Sequence, residues 1–355
     1  MPFSQKNIAF GLDIGDKSIK LAEVKLIKNL RSQEHLVLTC FNETPVPEGF
    51  IINGEIKNVP EIVKIIKNCV KGANGRILST KAVIASLPES QSYLKIINIP
   101  KTRDKITGDF VEGILSQHFP LESSKSYFDW QFIDSDKIML GVAPKNIVDS
   151  FTSVIEQADL IPLSLEIEST AISRAILLGD SSLEKKYKII MDLGATRSSI
   201  IATYDNNPVL TLNIPLSGDG MTQEIAKSKK IPFEKAEELK LLCGFDVKRC
   251  PVEIKKIIAS IINSSIKKIQ TGINYINRLL RIKIDKIYIC GGVASMAKLS
   301  NSLSEKLRVK IRHADPASKI LIDKKLKISN EELLKYTTAI GLAIKGTERD
   351  VLAPK

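Results

Sequence analysis

Short apolar runs separated by turn-like stretches open the chain, over residues 8–14, 19–26 and 35–41. Such runs predict consecutive strands. A Pro- and Gly-rich loop, 44–54, follows. Residues 59–70 then place Ile62, Val63, Ile65, Ile66 and Val70 at helical spacing. The polar, Gly-containing stretch 71–80 reads as a boundary. From 81 to 160 the pattern predicts strands at 82–87, 92–99, 126–132 and 137–142, with helices at 103–118 and 145–158. That is an α+β unit large enough for a small core of its own. Beyond it, a strand runs into a helix over 162–178, and strands follow at 188–193, 198–204 and 209–214. Helices are expected at 220–227, 233–242 and 251–281. The end reads strand 286–290, helix 296–307, strand 310–314 and helix 331–345. Strands alternating with helices indicate an α/β fold.

A length of 355 residues suits two domains or one large split one. The net charge of +12 comes mostly from Lys scattered among Ile, and aromatics are only 5% of the chain. Nucleic-acid readers favour Arg and stacking aromatics, so the lysines read as a solvated face. No apolar run reaches the roughly 18–20 residues that span a bilayer. The N-terminus lacks a signal-peptide pattern, so a cytosolic location is expected. Cys40, Cys69, Cys243, Cys250 and Cys290 are scattered without a CxxC, which argues against a disulfide framework or a thiolate zinc site. His35, His118 and His313 are isolated. There is no HExxH, GxSxG or Walker A pattern, so zincin, serine hydrolase and P-loop readings lose support. The helix expected at 251–281 sets an isoleucine stripe, read as core, against Lys255, Lys256, Lys267, Lys268, Arg278 and Arg281.

One internal similarity organises the chain. Asp13-Ile-Gly15-Asp-Lys-Ser18 echoes Asp192-Leu-Gly194-Ala-Thr-Arg-Ser198, each an Asp-x-Gly after an apolar strand and before another. Two similar lobes follow, each presenting an acidic hairpin turn. Glycine lets a ligand approach the backbone, successive N–H groups cradle an anion, and the carboxylate suits a hard cation. A third element, Ile287-Tyr-Ile-Cys290-Gly291-Gly292-Val-Ala-Ser, ends a buried strand in two glycines, where α/β sheets bind ligands.

In this order the pieces resemble the actin-like ATPase superfamily, a two-lobed, ribonuclease H-like α/β fold. Residues 13–20 look like its first phosphate loop, 192–198 like its second, and 290–295 like its adenosine motif. Residues 165–174 and 337–343 resemble its two connecting helices. Segments 44–56, 214–226, 231–240, 99–103 and 119–122 are similar to those of one branch, the PilM family of type IV pilus assembly proteins, which is related to FtsA. The resemblance divides the chain into subdomain 1A (1–80, completed by 161–186 and 332–355), an inserted α+β subdomain 1C (81–160), 2A (187–226 and 284–331) and a helical 2B (227–283).

The same resemblance implies ATP and Mg²⁺ as cofactors. Asp13 and Asp192 would approach the metal. Gly15, Asp16, Lys17 and Ser18, with Gly194, Ala195, Thr196 and Arg197, would clasp the phosphates, and Lys20 would add positive charge. Gly218 and Asp219 would close the phosphate side. Glu237 and Lys240 would face the ribose or adenine, while Gly291, Gly292 and Val293 would hold the adenosine. Glu168 would orient a water, or else cap the N-terminus of its own helix. The implied partner is the N-terminal cytoplasmic peptide of a PilN-like inner-membrane protein, received between the first lobe and the insert, so that the chain stands peripherally at the inner face of the cytoplasmic membrane. Three departures bear on hydrolysis: Asp16 stands where a serine or threonine is usual, Ala195-Thr196 lacks an acid, and Val293 and Ala297 replace glycines. These departures from the family pattern point to weak or no ATPase activity. Two alternatives are an FtsA-like cell-division protein, disfavoured by the short polar tail, and an actin-fold small-molecule kinase.

Overall fold

The computed structural model describes residues 9–28, 33–100, 106–178, 187–244 and 251–348. The chain opens with β1 (Phe10–Ile14), β2 (Ser18–Lys28) and β3 (Glu34–Pro45), then a small hairpin of β4 (Ile51–Ile52) and β5 (Glu55–Ile56), α1 (Val59–Lys71), β6 (Asn74–Gly75) and β7 (Ala82–Leu87). β8 (Tyr93–Asn98), α2 (Gly108–His118), β9 (Ser126–Asp134) and β10 (Lys137–Pro144) follow, then α3 (Lys145–Gln157), β11 (Ile161–Ile167) and α4 (Glu168–Leu177). The remainder holds β12 (Tyr187–Leu193), β13 (Ser198–Tyr204), β14 (Asn207–Ile214), α5 (Gly218–Lys229), α6 (Phe233–Cys243) and α7 (Val252–Leu280). It ends with β15 (Lys286–Cys290), α8 (Leu299–Leu307), β16 (Lys310–His313), β17 (Ile320–Ile322), α9 (Asn330–Leu333) and α10 (Thr337–Lys345).

Two sheets repeat one plan. In the first, order β11-β7-β1-β2-β3-β17 with β6 on β3, an antiparallel β1-β2-β3 meander meets the parallel strands β7 and β11. In the second, order β14-β13-β12-β15-β16, an antiparallel meander again meets two parallel strands. The continuous burial of β1 fits a central strand covered on both faces. The isoleucine stripe of α7 is core as expected, with Ile254, Ile258, Ile262, Ile269, Ile273 and Ile276 buried.

Strand pairing moves the edges of the insert. Ala82–Leu87 hydrogen-bonds to β1 and β11, so it belongs to the first-lobe sheet and not to the unit drawn from residue 81. α3 packs into the same core through Ile147, Phe151, Val154 and Ile155. The insert is thus β8, α2, β9 and β10, a three-stranded sheet under one helix, closed by Ile97, Val111, Leu115, Ile138 and Leu140. β17, expected within the second lobe, pairs with β3 of the first. Both differences are long-range pairings within the chain that no local pattern encodes. The helix expected at 331–345 breaks into α9, a 3₁₀ turn and α10. The helix expected from 296 begins at Leu299, after a 3₁₀ turn at Gly292–Ser295. Cys243 is disulfide-bonded, against the expectation from spacing, because the fold decides which thiols meet; Cys40, Cys69 and Cys290 are free and buried. Residues 101–103 of the motif 99–103 lie outside the described residues.

Candidate functional site

The two Asp-x-Gly hairpins face one another across a cleft of about 550 Å³. Each turn is closed alike: the Gly15 N–H donates to Ser18 O at 3.1 Å, and the Gly194 N–H donates to Arg197 O at 3.0 Å. The structural register therefore matches Ser18 with Arg197, not with Ser198 as the sequence echo suggests. A Cβ on Gly194 would stand 2.4 Å from Arg197 O, so the second turn admits only glycine there. Antiparallel register sets Lys20 opposite Asp13, with Nζ 3.9 Å from Oδ2, while the place opposite Asp192 is taken by Ser199.

Asp13 is buried at the end of β1, where its Oδ1 accepts from Ser86 Oγ at 3.0 Å. Asp192 accepts a weak bond from the Cys290 thiol at 3.5 Å, and burial pushes its carboxyl up to about 6. Gly291, at φ +86°, lies so close to Leu193 O and Asp192 Oδ1 that a Cβ would meet them at 2.4 and 2.7 Å, whereas a Cβ on Gly292 meets nothing within 4 Å. The second glycine leaves open surface for a flat group.

Of the residues expected at the site, Asp13, Gly15, Asp16, Lys17, Ser18, Lys20, Glu168, Asp192, Gly194, Ala195, Thr196, Gly291 and Gly292 line this cleft. Gly218, Asp219, Glu237, Lys240 and Val293 stand behind or beside it. The Gly218 and Asp219 N–H groups donate to Gly194 O and Ala195 O at 3.1 and 2.8 Å, which straps the start of α5 to the second turn. Asp219 pairs with Lys17 at 2.9 Å. Lys240 is buried, and its ammonium donates to Gly218 O at 3.1 Å, Thr222 Oγ1 at 3.0 Å and Glu237 Oε2 at 2.7 Å. Those bonds use the three donors an ammonium has. Val293 is core, packed against Gly218.

Sequence reasoning overlooked Glu89, Glu43, Lys335 and the Arg197 side chain, all of which line the cleft. Glu89 lies just past β7, at the carboxyl end of a parallel strand, and that position was its signal. Its Oε2 accepts the Ser169 N–H at 3.2 Å, capping α4, and its own N–H donates to Glu168 Oε2 at 3.3 Å. Glu168 makes no cap of its own at the start of α4. Burial, with Asp13 and Glu89 nearby, pushes the Glu168 carboxyl up to about 8. At neutral pH it is largely protonated and a poor base for a water. The folded chain thus keeps a proton that the unfolded carboxyl, near 4.5, has lost. Stability contributed by this group falls as pH climbs from about 4.5 to about 8. Glu168→Gln is expected to raise the melting temperature at pH 8 and to flatten that decline. Melting curves against pH that overlay those of the wild type would refute the assignment.

The lining fits a nucleotide polyphosphate: glycine turns, four cations (Lys17, Lys20, Arg197 and Lys335), and a buried Arg197 Nη1 that makes no hydrogen bond and only an ion pair with Asp16 at 3.3 Å. Among the described residues no three acidic, His or Cys side chains converge on a metal. A Mg²⁺ near Asp13 and Asp192 would draw its other ligands from phosphate and water.

A second, apolar cavity of about 360 Å³ lies between β9–β10 of the insert and β11–α3 of the first lobe, lined by Leu87, Tyr127, Phe128, Val142, Val148 and Leu165 among others. β9 and β11 are each the last strand of their sheet among the described residues, so both present backbone groups to an added strand.

Two like lobes with paired hairpin turns over a shared cleft define an actin-like ATPase fold. A family model for type IV pilus assembly protein PilM matches residues 11–347, and the chain belongs to that family. A solved PilM-PilN type IV pilus biogenesis complex is similar at TM-score 0.82 and 20% identity, covering 96% of this chain and 99% of that one. MreB 5 of Spiroplasma citri bound to AMPPNP is similar at TM-score 0.53 and 11% identity, over 94% of each chain. The cell division protein FtsA of Borreliella burgdorferi is 24% identical over 96% of this chain and 91% of its own length. Among the described residues no helix is long and apolar enough to cross a membrane.

Proposed function

We propose that this chain is a nucleotide-binding scaffold of type IV pilus assembly, held at the inner face of the cytoplasmic membrane by the N-terminal cytoplasmic peptide of a PilN-like partner. Family membership across 11–347 carries the reading. The cleft chemistry and the apolar groove support its two halves, as does the likeness to an MreB bound to AMPPNP and to a PilM-PilN complex.

Gly15–Ser18 and Gly194–Arg197 would hold the phosphates, with Lys20 and Lys17 neutralising charge. Asp13 and Asp192 would face Mg²⁺ through its waters, and Gly291 with Gly292 would seat the adenosine. Bound Mg-ATP supplies an anion and a cation that tie the two turns together. Lobe arrangement then sets the shape of the groove, and a difference in affinity between two arrangements is enough to couple the sites. Turnover is not required, in keeping with the protonated Glu168.

The partner peptide would enter the groove extended, adding to a strand edge and placing apolar side chains beside Tyr127 and Phe128. Tyr127 is 47% exposed, so its removal spares the core. A fluorescein-labelled PilN-like N-terminal peptide should bind the full chain in a polarisation titration, with an affinity that changes when Mg-ATP is added. Tyr127→Ala should weaken it roughly fivefold or more, the loss of an aromatic anchor at an interface. No peptide binding under either condition would overturn the reading; binding indifferent to Mg-ATP would remove the nucleotide switch.

A further inference from the structure

The cleft already contains an anion of its own. Asp16 follows Gly15 in the first turn, and its side chain is only 7% exposed. Oδ1 accepts the Gly54 N–H at 2.9 Å, which anchors the carboxylate to the first lobe. Oδ2 reaches across to the second lobe, 3.3 Å from Arg197 Nη1 and 3.5 Å from the Thr196 hydroxyl that donates to it. The carboxylate therefore stands between the two turns that face the polyphosphate and takes the only cation of the second one. At the matching step of the second turn stands Ala195, with no charge, so this anion is a feature of one turn alone. A second ion pair, Lys17 to Asp219 at 2.9 Å, joins the first turn to the start of α5.

Each phosphoryl group added to a nucleotide brings more negative charge into this space. A group reaching Arg197 has to take the guanidinium from Asp16, then stand beside a desolvated carboxylate that the Gly54 bond holds in place. Like charges at contact distance repel, and solvent screens the Asp16 carboxylate poorly because its side chain is only 7% exposed. A shorter polyphosphate leaves the Asp16–Arg197 pair intact.

We propose that Asp16 sets the length of polyphosphate the cleft accepts: it stands in for one phosphoryl group between the turns, so the site takes a nucleoside diphosphate in preference to a triphosphate. This rests on the nucleotide-binding reading above and adds the choice of ligand to it.

Calorimetric titration of the full chain with Mg-ADP and with Mg-AMPPNP, which avoids turnover, tests the proposal. Wild type should bind ADP at least tenfold more tightly. Asp16→Asn keeps the shape and removes the charge, and Asp16→Ser removes the group; each should narrow the ratio at least threefold, chiefly by tightening AMPPNP. Triphosphate bound as tightly as diphosphate by wild type would overturn the proposal while leaving the nucleotide site standing. Variants that keep the wild-type ratio would also overturn it. Binding of neither nucleotide would overturn the proposal and the nucleotide-binding reading together. Should a variant fail to fold, the wild-type ratio still decides.

Discussion

Gly341→Ala is expected to cost the fold about 3 kcal/mol or more, the upper end of overpacking effects. A Cβ at Gly341 would lie 1.9 Å from Ala171 O and 2.5 Å from Ala171 C. Both are backbone atoms of α4, so no side chain can turn aside, and the helices have to part. The crossing is pinned further by Arg174, which donates through Nη1 to Gly341 O at 2.9 Å and makes a two-point contact with Glu166 at 2.8 and 2.9 Å. α10 also covers β1, where a Cβ on Gly11 would come within 2.2 Å of Ala339 O. Dense interiors transmit such strain, so the whole first lobe should loosen. An exposed helical glycine gives the opposite sign. Gly113, in α2, has nothing within 4 Å of its added Cβ, and Gly113→Ala should stabilise by up to about 1 kcal/mol. Denaturant melts of the two variants beside wild type check both signs. A Gly341→Ala protein as stable as wild type would show that α4 and α10 separate freely at this point.

Lys240→Met should lower stability by roughly 2–4 kcal/mol, because a buried cation leaves acceptors behind when it is removed. Gly218 O and Thr222 Oγ1 lose a donor, and Glu237 loses its counter-ion. The consequence reaches the cleft indirectly. Lys240 ties α6 to the first turn of α5, and that turn is strapped to Gly194 and Ala195. The family resemblance instead implies that Glu237 and Lys240 face the ribose or adenine. Thermal melting and Mg-ATP titration on the same samples separate the roles. A large drop in melting temperature with a modest loss of affinity marks a positioning lysine. Unchanged melting with lost affinity would mark a direct ligand contact.

Much of the cleft was legible because its parts are local. An Asp-x-Gly between two apolar runs makes a hairpin turn wherever it stands, and two such turns in one chain announce two lobes. Gly291-Gly292 after a buried strand is a signal of the same kind. Glu237 and Lys240 show where such reasoning stops. A pair three residues apart on a helix is recognisable, but whether it faces a ligand, solvent or the next helix depends on what packs there. Glu89 shows the converse: an acid in a polar loop carries no signal until β7 is known to be a central parallel strand.

The sequence by itself determined the α/β class, the two hairpin turns with Asp13 and Asp192, the buried isoleucine stripe of α7, and the presence of an α+β insert. These follow from side-chain period and turn chemistry, which act over a few residues. Only the tertiary structure decided that residues 82–87 leave the insert for the first-lobe sheet, that β17 crosses to β3, and that Glu89 caps α4. It alone brought Asp16 to Arg197, in contact with a turn 180 residues away. Parallel pairing and ion pairs across a cleft join distant segments, and their partners are chosen by burial and charge in the assembled fold.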